Sequence, residues 1–288
     1  MKTIETAIPD IYDLLTSKKK TVGVNVEAEC ALFGDAMAQV MREAMEEEKS
    51  RAGSLRLSGI GKPDRQIYNG YNGIAGQDLA GATRIKFLYG HLTEAMLVSL
   101  LRLAGHSVTD QQKEVQVEGV KGHIDCFIDD RLVDIKSASS YGLKKFKNNT
   151  LHKDDPFGYI KQLQAYAYAL GQKKFSWLAM DKSSGELSLL TYDTEDSSAP
   201  YAEVLSEDIV DRVKYLKAMV LSAQVPTVCY EPVPEGTAGN MRLASGCTYC
   251  DYRENCWPEA REFGYSGRHK WLTKVLKAPR VLEIPKEF

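Results

Sequence analysis

The sequence predicts an α/β fold in which a mixed β-sheet is flanked by helices. A strong amphipathic helical pattern covers residues 85–104 and ends at Gly105. Short alternating runs follow this helix, and a second helical pattern covers residues 157–170. The order of a helix, three strands, a helix and further strands is typical of a sheet with helices on both sides.

Local patterns predict the remaining elements. Apolar residues three and four apart predict a helix over residues 31–48, and residues 206–223 are predicted to be helical as well. Alternating polar and apolar residues predict strands over 107–117, 122–128, 131–137, 175–180 and 187–192. Residues 129–130 and 182–185 carry turn signals. The segment 51–82 is rich in Gly, Asn and Asp, and we expect a long loop or cap there.

Composition places the chain among ordinary globular proteins. Of its 288 residues, 43% are hydrophobic and 26% are charged, and its formal net charge is -2. That charge argues against coating nucleic acid through charge alone, although a local basic groove remains compatible with it. We expect a helical and loop-rich N-terminal region (1–82), a core (83–225) and a small Cys-rich C-terminal subdomain (226–288).

The sequence contains no membrane or secretion signal that we can identify. No run of 18 or more apolar residues occurs, so no membrane span is expected. The N-terminus lacks the basic-then-apolar order of a secretory signal. We therefore expect the protein in the cytoplasm.

Two predicted strands carry the residues that most clearly indicate chemistry. Asp134 and Lys136 are two apart, so they project from one face of a strand, and Asp125 on the preceding strand can reach the same place. Phosphodiester hydrolysis needs a divalent cation, and Mg²⁺ or Mn²⁺ prefers carboxylate oxygens. We expect Asp125 and Asp134 to hold the metal and Lys136 to orient water or stabilise charge on the phosphate.

The alternative is an ordinary charged hairpin at the surface. Leu132, Val133 and Ile135 indicate a buried strand, and burying charge without a task is costly. The neighbouring helices add two polar pairs, each spaced to share one helix face: His91 with Glu94, and Gln162 with Tyr166. A lone His on a helix is more often structural, but the whole series favours a site.

This series resembles the RecB-type branch of the PD-(D/E)XK nuclease superfamily. The branch has a Gly-His helix, a Gly-x-x-Asp strand, an Asp-x-Lys strand and a Gln-x-x-x-Tyr helix, matched here by Gly90-His91, Gly122 to Asp125, Asp134 to Lys136, and Gln162 to Tyr166. The resemblance covers about residues 56–260 and implies a restriction-endonuclease-like core.

The resemblance also implies roles for individual residues. His91, Asp125 and Asp134 would bind the metal, and Lys136 would be catalytic. Gln162 and Tyr166 would contact the DNA strand or support the site. Glu94 would either contact one of the metal-binding residues or bind a second metal.

A basic stretch lies between the hairpin and the Gln/Tyr helix. Residues 139–153 interleave aromatic and basic side chains: Tyr141, Lys144, Lys145, Phe146, Lys147 and Lys153. This mixture suits a phosphate backbone with stacked bases, although a solvated loop is the alternative. Arg65, upstream of the core, joins these residues as an expected DNA contact.

Three cysteines near the C-terminus indicate a metal centre. Cys247, Cys250 and Cys256 are separated by two and then five residues, a spacing that can wrap Zn²⁺ or an iron–sulfur cluster. Cys30 is expected to be a small buried helical residue, and Cys126 a core residue.

The triplet resembles the iron–sulfur staple of AddB-type and CRISPR-associated RecB-like nucleases. In those proteins a fourth cysteine usually precedes the core, where this chain has Asp64. Cys229 is our first choice for the fourth ligand, with Cys30 and Asp64 as alternatives. By this analogy a [4Fe-4S] cluster is preferred over Zn²⁺, with a structural role in holding the C-terminal segment.

The resemblance leaves three functional hypotheses. The chain is also similar to exonuclease-like proteins of bacteriophages through RIKFLYGHLTEAML, VKGHIDCFIDD and VDIKSAS. This similarity implies a DNA exonuclease in recombination, replication or DNA breakdown in the host cytoplasm. Its partner would be a recombination or single-strand-annealing or binding protein, and oligomers are conceivable. A CRISPR-adaptation nuclease and a catalytically silent DNA-binding module are the alternatives. The silent module is disfavoured because His91, Asp125, Asp134 and Lys136 are all present.

Overall fold

The structure is a computed structural model that describes residues 2–17, 23–46, 52–77, 81–248, 250–265 and 268–285. The chain divides into two compact units. The first unit comprises residues 1–49, 55–61 and 81–215, and the second comprises 50–54, 62–80 and 216–288. The three-part division expected from the sequence stays a prediction.

Helices and strands follow one another along the chain as the periodicities indicate. The α-helices are α1 (Ala7–Ser17), α2 (Val26–Met45), α3 (Asp64–Tyr71), α4 (Gly81–Leu103), α5 (Ser140–Lys147), α6 (Tyr159–Ala169), α7 (Ala202–Leu205), α8 (Ile209–Leu221), α9 (Ser245–Thr248) and α10 (Arg253–Cys256). The strands are β1 (Val108–Thr109), β2 (Glu114–Val117), β3 (Val120–His123), β4 (Cys126–Ile128), β5 (Arg131–Ala138), β6 (Lys174–Asp181), β7 (Leu187–Asp193), β8 (Val233–Glu235), β9 (Asn240–Arg242), β10 (Arg261–Tyr265), β11 (Arg268–Lys274) and β12 (Leu282–Ile284).

The first unit is built around a five-stranded mixed sheet. Its strand order is β1-β4-β5-β6-β7, in which β5 and β6 are parallel and the other neighbours are antiparallel. Strands β2 and β3 form a separate antiparallel hairpin. The predicted α/β architecture, with a mixed sheet, flanking helices and a helical N-terminal region, is therefore confirmed.

The main core places α1 and α4 against one face of this sheet. Val133 and Ile135 of β5 are buried there together with Leu97 and Leu101 of α4. Because side chains alternate along a strand, Asp134 and Lys136 project from the opposite face. The position of the polar pair is thus set by the apolar residues beside it.

The long loop expected over residues 51–82 is wrong in part, because it contains α3. Local composition predicts this helix poorly, since Asn and Gly residues disfavour helices. Contacts within the second unit stabilise it instead. Tyr68 is buried, and the Asn72 amide donates to the carbonyl of Val220 at 3.1 Å.

Two further local expectations are corrected. The strand expected over 107–117 is interrupted, because Asp110 and Gln112 turn the chain with positive φ angles between β1 and β2. The loop considered for 139–153 is largely α5, whose first turn is capped by the Ser139 hydroxyl accepting from the Gly142 amide at 3.1 Å. Leu143 and Phe146 anchor this helix because both are buried.

The second unit contains an antiparallel sheet of order β12-β10-β11-β9-β8. A small core of Leu243, Cys247 and Ala260 packs beside it. The Arg253 guanidinium lies 3.7 Å from the ring centroid of Trp271 and holds α10 to β11. In the part of the chain that the structure describes, no helix has the length and apolar character that crossing a bilayer requires.

Candidate active site

Strand β5 presents a buried ion pair. Asp134 is 1% exposed, and the Lys136 ammonium lies 2.9 Å from its Oδ1 and 2.7 Å from its Oδ2. The ammonium donates its hydrogen bond to Oδ1, and no described residue hydrogen-bonds Oδ2. The same ammonium lies 4.9 Å from the ring centroid of Tyr159, a cation–π contact. The predicted projection of Asp134 and Lys136 from one face is what the structure shows.

Asp125 reaches the pair from a break between two strands. The ladder between β4 and β5 begins at Cys126 and Val133, so Asp125 lies just outside it. Its Oδ2 accepts a hydrogen bond from the Ile135 amide at 2.7 Å, in place of a strand partner. The single strand expected over 122–128 is therefore interrupted, and the interruption turns the carboxylate of Asp125 toward β5.

Helix α4 contributes Glu94 and His91. Glu94 is partly buried, and its Oε1 accepts from the Gln112 amide at 2.8 Å. Burial and the charge of Asp125 raise the pKa of Glu94 to about 7. Burial also raises the pKa of Asp125, and Lys136 and the exposed His91 oppose that rise. His91 and Glu94 therefore both lie within electrostatic range of Asp125.

Helix α6 supplies a further hydrogen bond to Asp134. The Gln162 amide donates to Asp134 Oδ1 at 3.3 Å, and its side chain also hydrogen-bonds that of Tyr166. Tyr166 is 1% exposed, and burial raises its pKa to about 12. Tyr166 in turn packs on Gly122, where a methyl group would lie 2.6 Å from its ring. Gly122, Tyr166, Gln162 and Asp134 thus form one contact chain.

The electrostatics of the site favour a cation. Burial raises the pKa of Asp134 to about 7, with Lys136 opposing and Asp125 reinforcing the rise. Burial lowers the pKa of Lys136, but the charges of Asp134 and Asp125 together raise it above its usual value. The ammonium of Lys136 therefore stays protonated. Three carboxyl groups therefore share one ammonium, and a further positive charge would stabilise all three in ionised form.

The donor set fits a magnesium-type ion held by few protein ligands. Among the described residues, no three His, Cys, Asp or Glu side chains converge to hold one ion. Mg²⁺, however, usually binds through one or two carboxylates and completes its shell with water and substrate phosphate. Asp125 and Asp134, which lie within electrostatic range of each other, fit that requirement, and a cation bound to Oδ2 of Asp134 would lie beside the Lys136 ammonium, which is 2.7 Å from that oxygen.

The sequence motifs do not identify two residues that support the site, Tyr159 and Asp155. Tyr159 precedes Gln162 by three residues, so helical spacing could have placed both on one face. Asp155 caps α6: its Oδ1 accepts from the Tyr159 amide at 3.0 Å and its Oδ2 from the Ile160 amide at 2.8 Å. An Asp shortly before a helical run is a recognisable capping signal, which the adjacent Pro156 obscured.

The expected DNA-contacting residues fall into two groups. Lys145 pairs with Asp154 at 2.6 Å and Lys147 with Glu186 at 2.5 Å, so their charges are partly neutralised. The other residues of the stretch are more open. Tyr141 is 71% exposed, and Lys144 and Lys153 are exposed without an ion pair to any described residue. Their contact with DNA stays a prediction.

The aromatic Phe146 and the basic Arg65 each make contacts within their own unit. Phe146, considered with the base-stacking stretch, is 4% exposed and packs in the core, so that interpretation is wrong for it. Arg65 lies in the second unit, where its guanidinium donates to the carbonyl of Pro226 at 2.8 Å. Its contact with DNA stays a prediction.

The C-terminal cysteines influence one another electrostatically. Burial raises the pKa of Cys247 to about 11, and Cys250, Cys229 and Cys256 reinforce that rise. Burial likewise raises the pKa of Cys229, with Cys256 reinforcing it. The four thiols therefore lie within electrostatic range of one another in the second unit, although no three of them converge on one point within the described ranges.

Cys30 and Asp64, the other candidates for a fourth ligand, and the core residue Cys126 lie in different environments. Cys30 is exposed on α2, which contradicts the expectation that it is buried. Most side chains of α2 are open to solvent, and Glu29 is the one buried residue of this helix. Asp64 begins α3 in the second unit. Cys126 is 0% exposed and belongs to the core, as expected.

Fold and site together define a nuclease. The defining parts are a mixed sheet flanked by helices, acidic residues where two of its strands separate, and a lysine on the same strand face. Residues 25–257 match the family model described as the PD-(D/E)XK nuclease superfamily. The chain belongs to this superfamily.

Solved structures give weaker likenesses. The exonuclease LHK-Exo in complex with dAMP is 16% identical, with 59% of this chain and 91% of that chain covered and a TM-score of 0.39. An alkaline exonuclease (LHK-Exo) from Laribacter hongkongensis is 15% identical, with the same coverages and a TM-score of 0.36. The protein SSO0001 is 14% identical, with coverages of 76% and 93% and a TM-score of 0.40. No curated protein matches the chain.

Proposed function

We propose that this chain is a divalent-metal-dependent deoxyribonuclease that digests DNA from its ends. One observation carries the proposal: the carboxylate of Asp125 lies within electrostatic range of the Asp134–Lys136 ion pair, and all three groups are held by contacts within one unit. An ion pair with a merely structural role would not require further acidic groups near it, yet Asp125 contributes to the raised pKa values of both Glu94 and Asp134.

Asp125 and Asp134 would hold Mg²⁺ or Mn²⁺, with His91 and Glu94 at the margin of the site. When bound, the ion supplies charge that polarises the phosphate and makes a water more acidic. Lys136 would place its ammonium on the phosphate oxygens, where negative charge develops. Gln162 would keep Asp134 oriented through its 3.3 Å hydrogen bond, and Tyr166 would keep Gln162 in place.

Glu94 suits a proton-accepting role. Its pKa of about 7 lies near neutral pH, the value at which a carboxylate can take and release a proton efficiently. The Gln112 amide fixes one of its oxygens and leaves the other available. A bound cation would favour the ionised form of Glu94.

The test compares DNA digestion by matched variants. Purified protein is incubated with end-labelled linear DNA and Mg²⁺ or Mn²⁺, alongside Asp134→Ala and Lys136→Ala. Lys173→Ala is the control, because Lys173 forms an exposed ion pair with Glu195. Each site variant is expected to lose about 10²- to 10³-fold in rate, as is typical when a charge-stabilising group is removed. Wild-type protein that digests no faster than the site variants would overturn the proposal.

A second substrate tests the exonuclease part. Covalently closed circular DNA has no ends, so an exonuclease should leave it intact while it degrades the linearised form. Equal rates on both would show endonuclease activity. The proposed setting, phage-type DNA recombination, replication or breakdown in the host cytoplasm, rests on the sequence resemblance alone.

We further propose that Cys229, Cys247, Cys250 and Cys256 bind a metal centre, with [4Fe-4S] preferred over Zn²⁺. Thiolates suit either one, and the mutual electrostatic influence of the four thiols supports a common site. Anaerobically purified protein should contain about four iron atoms per chain and absorb in the visible, as a Cys₄-ligated cluster does. Cys250→Ser should lose both signals while Cys30→Ser keeps them. Protein with zinc and no visible absorption would refute the iron–sulfur assignment.

A further inference from the structure

Phe157 is an exposed aromatic side chain that reaches the Asp134–Lys136 ion pair through Tyr159. Half of its surface (50%) is open to solvent, and its ring stacks on Tyr159 with centroids 5.4 Å apart and an interplanar angle of 23°. Tyr159 in turn contacts the Lys136 ammonium, 4.9 Å from its ring centroid. Phe157, Tyr159 and Lys136 therefore form a continuous row that starts at the ion pair and ends in solvent.

The backbone around Phe157 is fixed from both sides. Asp155 accepts hydrogen bonds from the Tyr159 and Ile160 amides at 3.0 and 2.8 Å. Gly158 has a φ of 74°, and a Cβ on it would lie 2.3 Å from the carbonyl carbon of Gly61. Only glycine fits this close approach, so the segment has little freedom to withdraw the ring of Phe157 into the core.

We propose that Phe157 is a base-stacking residue that positions an unpaired nucleotide beside Lys136. The inference rests on the proposed nuclease function and names the class of substrate for it, which is single-stranded or frayed DNA. A lone exposed Phe is common at protein surfaces and needs no explanation. Phe157 differs because it is stacked on Tyr159, is held by a capped and glycine-dependent turn, and is linked through Tyr159 to Lys136.

The geometry favours an unpaired base. Within a duplex both faces of each base are covered by its neighbours, so an aromatic ring can stack only on an end or on an extruded base. A single strand leaves every base face available, and aromatic side chains together with cations are what such strands bind. The ammonium of Lys136 at one end of the row supplies the phosphate-binding charge, and the ring of Phe157 supplies the stacking surface.

The first experiment measures stacking without catalysis. Full-length protein in buffer with chelator is titrated against a single-stranded oligonucleotide that carries 2-aminopurine, whose fluorescence is quenched when it stacks. Phe157→Ala should weaken binding by about 5- to 150-fold and remove the quenching, and Phe157→Trp should restore both. Tyr168→Ala is the matched control, because Tyr168 is an exposed aromatic residue (54%) of the same helix region. Quenching that persists in Phe157→Ala would overturn the inference.

The second experiment separates positioning from folding. For single-stranded DNA with Mg²⁺, Phe157→Ala should raise KM by a similar factor and change kcat less. KM for blunt duplex DNA that ends in G·C pairs should rise clearly less, because its terminal bases stay paired for most of the time. An equal rise in KM on both substrates, or no rise on either, would overturn the inference. If wild-type protein cleaves no DNA, the proposed function fails, and the chelated binding experiment still decides whether Phe157 stacks on unpaired bases.

Discussion

Gly122 gives the sharpest test of how the fold supports the site. A Cβ at this position would lie 2.6 Å from Cε1 of Tyr166, 3.1 Å from its hydroxyl and 2.9 Å from Cβ of Leu57. Ordinary van der Waals contact begins near 3.4 Å, so the ring of Tyr166 must retreat by about 0.8 Å and Cβ of Leu57 by about 0.5 Å. Tyr166 and Leu57 are 1% and 0% exposed, and neither can move into solvent.

Gly122→Ala should therefore act on stability and on catalysis together. Overpacking a filled core costs about 1–3 kcal/mol, and we expect the free energy of unfolding to fall by that amount. The displaced Tyr166 hydrogen-bonds Gln162, which holds Asp134. Because a misplacement of about 1 Å at a reacting group can lower the rate by about 10²-fold, kcat should fall to a similar extent.

Urea unfolding and digestion of linear DNA check the two parts of this prediction. Gly59→Ala is the control, because a Cβ there meets no atom within 4 Å and the φ angle is ordinary. Tyr166→Leu combined with Gly122→Ala should lose less stability than the two single losses added together, since the clashing ring is gone. If Gly122→Ala unfolds and cleaves like wild type, the contact chain to Asp134 does not operate.

Three further predictions concern the same unit. Glu94→Gln should stabilise the protein by up to about 3 kcal/mol near pH 8 and hardly at all near pH 4, because a carboxyl group whose pKa rises from 4.5 to about 7 on folding weakens the fold as pH climbs through that interval. Urea unfolding with chelator measures this effect, and equal effects at both pH values would contradict it. Asp155→Ala should lower the free energy of unfolding by about 1–2 kcal/mol through loss of a helix cap, whereas Asp155→Asn should lose less; equal losses would count against the cap. Nuclease activity should rise with pH through about 7, since Asp134 must lose its proton before it can bind a cation; a flat profile from about pH 5.5 to about pH 8.5 would refute this reasoning.

The sequence predicted the parts of the fold in which local pattern and tertiary packing agree. Strand β5 was expected over residues 131–137 and spans Arg131–Ala138, because Leu132, Val133 and Ile135 are apolar and are also buried. Helix α3 was missed because its support comes from distant residues such as Val220, which no local window contains.

The site was predictable to the same degree. Periodicity placed Asp134 with Lys136, and the structure shows their ion pair. The break before β4 was not foreseen, since residues 122–128 read as one continuous strand. The hydrogen bond from the Ile135 amide to Asp125 decides that break, and it depends on the final position of two strands. Helical spacing could have placed Tyr159 on one face with Gln162, but its contact with Lys136 is tertiary and no local pattern contains it.

The bond between Asp125 and Ile135 also changes how substitutions at this position must be compared. Alanine there would remove a negative charge and, at the same time, leave a main-chain donor unsatisfied, at about 1–3 kcal/mol. Asparagine keeps an acceptor for that donor and removes only the charge. A truncation series would therefore mix folding defects with catalytic ones, and the isosteric amide is the variant that isolates the electrostatic contribution of Asp125.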